Sequence, residues 1–267
     1  ALPIASGDAK VATAAVHDGL VSWAASTNGF AVLDTTPGLT VSEAVSYAAG
    51  RDAESQAAVY YPNIYIPDPL GRSNASLRKV GPAASVAGLY LQTDRTVGPF
   101  KAPAGIQANI AGAISLEKAF TNAELDTLNA ANQPVNAIRN IPGAGIVVMG
   151  ARTLLQDGTA SRYVNMRRSL IYIEKNLKDL AEFALFENNN SVLWGRLRTV
   201  LSVFLNDYKN QGGLRGANPS DAFYVKIDSS NNTANSIANG EVNIQVGVAL
   251  QYPAEFVVIN LSQMTGQ

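Results

Sequence analysis

The chain has 267 residues, enough for one large domain or two smaller ones with an ample core. Its formal net charge is −1, so it lacks the broad basic footprint of a nucleic-acid binder, and without cysteine it can form no disulfide, thiolate metal site or cysteine nucleophile. Charged residues make up 15%, against roughly a quarter in ordinary soluble domains, while 47% are hydrophobic; the composition fits either a compact Ala- and Gly-rich enzyme or a protein whose surface something else covers.

No basic n-region leads into an apolar h-region, and no window approaches the roughly eighteen continuous apolar residues of a membrane span. The chain starts at Ala1 rather than Met, which fits a processed product or a fragment. Residues 8–26 read as a helix with Ala12, Val16, Leu20 and Trp23 on one apolar face, closed by Asn28-Gly29. "FAVLDTTPG" reads as a strand running into a Pro-Gly turn. "TVSEAVSYAAG" is a short helix with Thr40 and Glu43 at capping-box spacing and Gly50 at its end. "QAAVYYPNIYIPDP" is one strand-like run interrupted by Pro62, and a further helix starts near Pro82. "GPFKAPAG" is irregular.

The composition shifts after Gly105. Thr121 and Glu124 mark a second capping box, and two short strands, "VNAIRNI" and "GIVVMGARTL", flank Pro142-Gly143. Met166, Leu170, Ile173, Leu177, Leu180 and Ala184 then form one apolar helical stripe, with Glu174 and Lys178 paired at i,i+4. "ENNN" breaks this helix. A second, capped by Asn190 or Ser191 and striped by Leu193, Leu197, Val200, Phe204 and Tyr208, ends at Gly212-Gly213, making an αα-hairpin. "AFYVKID", the alternating run "EVNIQVGVAL" and "EFVVINLSQ" are strands. The pattern gives an α+β protein in two parts: an α/β module over residues 1–105, with the option of continuing into the C-terminal strands, and a unit over 106–267 in which a mixed sheet packs on the helical hairpin.

Catalytic signatures are weak. His17, the single histidine, adjoins Asp18, and helical neighbours point about 100° apart, so they form no ready dyad. "GAGIVVMG" places its glycines before a strand, the reverse of a dinucleotide loop, and "GGLRG" lacks the Lys-Ser/Thr of a phosphate loop. There is no GxSxG elbow. Acidic pairs such as Asp52 with Glu54 and Glu124 with Asp126 read as solvated surface, and the sequons at Asn74, Asn189, Asn231 and Asn260 carry no information without secretion. Arg162, Arg167 and Arg168 cluster where a helix begins, where basic side chains oppose the helix dipole unless carboxylates answer them. Three readings stand there: local pairing with Asp157 or Glu174, contact with another chain's acidic surface, or an enzyme's anion pocket.

Taken in order, "GPFKAPAG", "NAIRNIPGAGIVVMGARTL", "RYVNMRRSLIYIEKNL", "FENNNSVLWGRLRTVLSVFL", "DAFYVKID" and "GEVNIQVGVALQYPAEFVVI" resemble the tail sheath proteins of contractile bacteriophages, to which R-type bacteriocin and type VI secretion sheaths are related. "GLTVSEAVSYAAGRDAESQAAVYYPNIYIPDPLGR" extends the resemblance upstream over most of the chain. It implies a structural subunit rather than an enzyme, with no catalytic residue, cofactor or metal. Its partners would be other sheath subunits in stacked six-fold rings, the tail tube protein, the baseplate and the tail terminator, with no nucleic acid and no membrane. The place of action would be the virion tail, after assembly in the host cytoplasm.

The resemblance also implies a tube-facing helix carrying Arg196, Arg198 and Lys209. Its implied inter-subunit contacts are Arg162, Arg167 and Arg168 and a terminal strand arm with Phe256, Val257, Val258, Ile259 and Leu261. Family members carry an arm before the first helix, whereas this chain opens at "ALPIASGDAK"; the expectation is an arm-deficient fragment, monomeric or weakly oligomeric in isolation. The rival readings are a hydrolase or anion-binding enzyme on the α/β half, which needs a pocket with convergent polar groups, and a carbohydrate-binding or adhesion module, which needs exposed aromatic platforms.

Overall fold

A computed structural model describes residues 7–71, 76–155 and 157–255. The chain opens with helix α1 (Gly7–Thr27). Asn28 takes a left-handed φ of 53° after it, and Gly29 N–H donates to the Ala24 carbonyl at 2.8 Å, a Schellman closure. Strand β1 (Ala31–Asp34) and helix α2 (Val41–Ala49) follow. The expected capping box starts α2: Glu43 N–H donates to Thr40 Oγ1 at 3.3 Å, and Thr40 N–H to Glu43 Oε2 at 2.8 Å.

The single strand-like run divides at the cis Tyr61–Pro62 peptide into β2 (Ala57–Tyr61) and β3 (Ile64–Pro67), which lie in different sheets. Next come β4 (Leu77–Val80), α3 (Ala83–Thr96), β5 (Ser115–Leu116) and α4 (Asn122–Ala130), the last with the Thr121–Glu124 box formed. Strands β6 (Val135–Ile141) and β7 (Gly145–Val148) make a hairpin whose turn needs the positive φ of 82° at Gly143. Helices α5 (Val164–Ala181) and α6 (Ser191–Asn210) form the predicted helical hairpin. Then α7 (Pro219–Ala222), β8 (Phe223–Lys226), α8 (Ala234–Ala238) and β9 (Gln245–Val248) complete the described chain.

The main sheet has the order β1-β2-β6-β7, parallel through β6 and antiparallel at β7. All of β2 is buried, because helices cover both faces. Ala57, Val59 and Tyr61 meet a core built with Val21 and Ala24 of α1, Ala44 of α2 and Leu128 of α4. Ala58 and Tyr60 meet Val86, Leu89 and Tyr90 of α3 on the other side. A small antiparallel sheet, β4-β3-β5, flanks this body. The sheet crosses residue 105, so the module expected to end there draws two of its four strands, β6 and β7, from beyond it.

Past residue 155 the hairpin has its own core. Met166 and Ile173 of α5 meet Leu205 and Tyr208 of α6, and Leu193, Leu197 and Leu201 pack on Ile227. The β8–β9 pair, in register Phe223↔Val248 to Lys226↔Gln245, lays Val225, Val246 and Val248 against the hairpin.

Three sequence expectations change. The apolar face expected for α1 is turned out: Val16, Leu20 and Trp23 are 61%, 40% and 56% exposed, while His17, Val21 and Ala24 face the sheet. A helix with apolar residues on two sides does not declare which one is core. On α6 the buried row is Leu193-Leu197-Leu201-Leu205, so Val200 and Phe204 sit half-buried at its flank, one residue from the expected line. The alternating run at 241–250 is strand only over Gln245–Val248, although Val242 and Ile244 still pack on the hairpin core.

Candidate interaction surfaces

The three arginines at the start of α5 do not converge on one pocket. Arg168 forms a two-pronged pair with Asp94 of α3, one limb at 3.0 Å, and its guanidinium lies 4.5 Å from the centroid of the Tyr90 ring. Arg167 donates to Asn28 Oδ1 at 3.0 Å, and Asn28 in turn donates to Glu174 Oε2 at 2.7 Å. Burial pulls the Arg167 pKa below its ordinary value, and its Nε is buried with no partner among the described residues. Arg162 lies over Tyr163 and donates to its hydroxyl at 2.9 Å. Of the local partners expected from sequence, Asp157 accepts from the backbone and hydroxyl of Thr159, while Glu174 pairs with Lys178 at 2.7 Å and reaches Arg167 through Asn28. Arg167 and Arg168 thus join the hairpin to α1 and α3 inside one chain.

The cations of α6 also separate. At 100° per residue, Arg196 shares the outward face with Val192, Thr199 and Val203, whereas Arg198 and Lys209 lie on the flank. Arg196 is exposed and covers the Phe183 ring at 5.2 Å, while Arg198 donates to the carbonyl of Ile227 just beyond β8. At the hairpin tip, Phe183, Leu185, Phe186 and Val192 are exposed, and Phe186 adopts φ of 65°, unusual for so bulky a residue. The sequence reading missed this apolar tip; its signal was the placement of "ALF" against the helix-breaking "ENNN".

The expected arm residues Phe256, Val257, Val258, Ile259 and Leu261 lie outside the described residues. The segment leading to them is tied down along its length. Gln251 Nε2 donates to the Leu214 carbonyl at 3.1 Å, Tyr252 meets Tyr163 edge-on at 6.3 Å, and Glu255 receives Arg152 Nε and Nη2 at 2.9 and 2.7 Å. Arg152 also donates to the Asn129 carbonyl at the end of α4, at 2.9 Å. The hydrogen bonds from Arg152 hold the Glu255 carboxyl below the usual carboxylate range. This pairing joins residues 103 positions apart, and nothing local in the sequence announces it. Residues 252–255 form one wall of a cleft of about 540 Å3 between α4, β6 and the 100–105 loop. Its cations are Lys101 and Arg139; neither Arg162 nor Arg167 lines it.

His17 is the remaining polar group of chemical interest. Its Nδ1 lies 2.6 Å from Tyr47 Oη, and its Nε2 is 3.7 Å from Asp34 Oδ1. Burial lowers the pKa of His17 and raises that of Asp34. Asp34 also accepts from Ala83 N–H at 3.4 Å, at the start of α3. The group links α1, β1, α2 and α3 and does not line the cleft. Among the described residues there is no cluster of three or more His, Asp or Glu able to hold a metal ion, and no helix long and apolar enough to cross a membrane.

Comparison with known proteins gives two family matches that together span nearly the whole chain: the phage tail sheath protein central domain over residues 3–154 and the phage tail sheath C-terminal domain over residues 156–263. The tail sheath protein of Vibrio phage KVP40 is 27% identical over 179 residues, 67% of this chain and 26% of that protein. Among solved structures, a chain of the six-fold symmetrised baseplate of the anti-feeding prophage matches with TM-score 0.81 and 29% identity, over 94% of this chain and 65% of that one. A chain of the PVC sheath complex, from an extracellular contractile injection system in the contracted state, matches with TM-score 0.78 and 33% identity, over 88% and 64%. The chain therefore spans about a quarter of the length of that phage protein and about two thirds of these solved chains.

Proposed function

The chain belongs to the phage tail sheath family, and from that premise we propose that it is a structural subunit of a contractile sheath, which polymerises around a tail tube and contracts to drive the tube through a host envelope. The observation that carries this reading is the fold match over 94% of the chain to a subunit of a six-fold assembly. The low charge content supports it, since a lattice of subunits would cover much of the surface. In this reading the partners are other sheath subunits, the tube, the baseplate and the terminator, and the working place is the virion tail.

Helix α6 faces the tube through Arg196, which stands outward free of any carboxylate partner among the described residues. Arg198 and Lys209 flank that face, and Arg198 braces it by holding the Ile227 carbonyl. Charge contacts suit a surface that must hold register and then release. The segment from Phe256 onward is the arm that adds a strand to a neighbour's sheet; the short, two-stranded β8–β9 ladder is a fitting acceptor. Arg162, Arg167 and Arg168 remain candidates for the subunit seam through whatever surface their internal partners leave uncovered.

Co-sedimentation with assembled tail tube tests the α6 assignment. Arg196→Glu should weaken tube binding at least tenfold with an unchanged melting temperature. Equal binding by mutant and parent would remove α6 from the tube contact.

A further inference from the structure

We propose that the tip of the α5–α6 hairpin of one copy seats in the cleft of a second copy, giving a head-to-tail contact between subunits; this rests on the sheath reading for the lattice in which the contact repeats. The tip follows the end of α5. Leu185 is 68% exposed and Phe186 fully exposed, and the φ of 65° at Phe186 is a conformation that a bulky side chain holds only at a cost in strain. Single exposed apolar side chains are ordinary; two adjacent ones, the second in a strained turn, have the character of an anchor. Acids surround them. Glu182 and Glu187 flank the pair, both exposed and neither with a salt-bridge partner among the described residues. Asn189 donates to the Glu241 carbonyl at 2.9 Å, which brings a third acidic residue to this end of the hairpin. Arg196 lies over Phe183, on the α6 side of the tip.

The cleft has the complementary character. Ala102, Ala104, Leu125 and Met149 give it apolar walls, and its volume of about 540 Å3 lies within the range of formed binding sites. Lys101 and Arg139 line it, and neither has a carboxylate partner among the described residues. Of the acids beside them, Glu255 is matched by Arg152, which leaves Asp126 as the one lining carboxylate that opposes the two cations. An acidic, apolar tip and a cationic, apolar cleft therefore match in charge and in hydrophobicity. They cannot meet within one chain. Asn165, in the first turn of α5, lines the cleft, whereas the tip lies beyond the last turn, and 18 residues of helix set them about 27 Å apart. Helix α5 is held along that length, through Met166 and Ile173 toward one end and Leu177 and Leu180 toward the other. Two different surfaces that meet only between copies make a heterologous contact, which propagates into rings or helices instead of closing as a dimer. A buried Phe covers roughly 150–250 Å2, short of the roughly 800 Å2 per partner of a stable pair. The contact is thus weak between two free chains and gains strength by repetition.

The test uses the full chain, in which the lack of natural cysteine leaves only engineered thiols to react. Chains carrying Phe186→Cys are mixed with size-tagged chains carrying Met149→Cys and treated with a short bis-maleimide. The expected product is the mixed dimer, in roughly tenfold excess over the yield from Phe186→Cys with Val16→Cys, because Val16 is exposed but lies outside the cleft. Glu182→Lys with Glu187→Lys on the tip chain should remove most of that excess, and Lys101→Glu with Arg139→Glu on the cleft chain should restore it. Melting temperatures of the reversed chains show whether they are folded, and Lys101→Glu alone serves where Arg139→Glu lowers the value. Equal yields in the control pair, tip-to-tip dimers alone, or no restoration by the paired reversal would overturn the contact. If the gene product still builds six-fold tubes with Phe186→Ser, the contact falls and the sheath reading stands. If the mixed dimer forms as expected but no condition yields tubes, the contact stands and the sheath reading falls.

Discussion

His17 is the chain's single histidine, and it is buried against Tyr47 and Asp34, with Asp18 and Arg51 as the other charged neighbours. Burial holds its folded pKa below the ordinary 6.5, so the unfolded chain binds the proton first. Its contribution to stability is therefore fully present above pH 6.5 and is lost as pH falls through the lower folded value. Asp34, raised above 3.8 by burial, works with the opposite sign over the window above that value. Chemical denaturation at pH 7.5 and 5.5 should show stability falling on acidification, and His17→Gln should flatten that slope; an unchanged slope would mean that another group titrates there. The Arg168–Asp94 pair gives a second prediction. Arg168 is 12% and Asp94 29% exposed at the side chain, so Asp94→Ala leaves a largely buried cation and should cost about 1–3 kcal/mol, partly recovered in Asp94→Ala/Arg168→Met. No recovery in urea titrations would mean that Asp94 acts through its packing alone. Asp94 lies 74 residues from Arg168, and for that reason no local pattern disclosed it as the answer to the helix dipole.

At the scale of elements, what local chemistry dictates was legible and what tertiary packing decides was not. The capping boxes at Thr40 and Thr121, the Asn190 cap and the Asn28-Gly29 closure are set within a few residues, and each stands where the sequence places it. Loss of the Thr40 side chain should accordingly cost about 1 kcal/mol in Thr40→Ala. The inward face of α1 and the exact row of α6 depend on what lies opposite, which periodicity cannot supply. Leu33→Ala, inside the core beneath α1, should cost about 2–5 kcal/mol, whereas Val16→Ser and Leu20→Ser should each stay near 0.5 kcal/mol or less. A large loss from the serine variants would return the face to the core. Arg198→Glu, which removes the tie to Ile227, should destabilise the hairpin end by about 1–2 kcal/mol, in contrast to the silent Arg196→Glu. This contrast separates bracing from contact among residues that looked equivalent in sequence.

For the whole molecule, long-range ties brace the described chain: Arg168 and Arg167 on one side, and the 250–255 segment, pinned through Arg152 and Leu214, on the other. In the proposed sheath role, a body braced in this way would move as a unit while the sleeve shortens and widens. The order of the motifs was specific enough to indicate the family from sequence, yet the cleft was invisible there, because its walls come from α4, β6, the 100–105 loop and the tail. The most direct test of the central claim is electron microscopy of the full-length gene product, alone and mixed with its tail tube protein, over a range of salt and concentration. The account predicts hollow tubes with six-fold end views. Discrete particles under every condition, tube protein included, would contradict it.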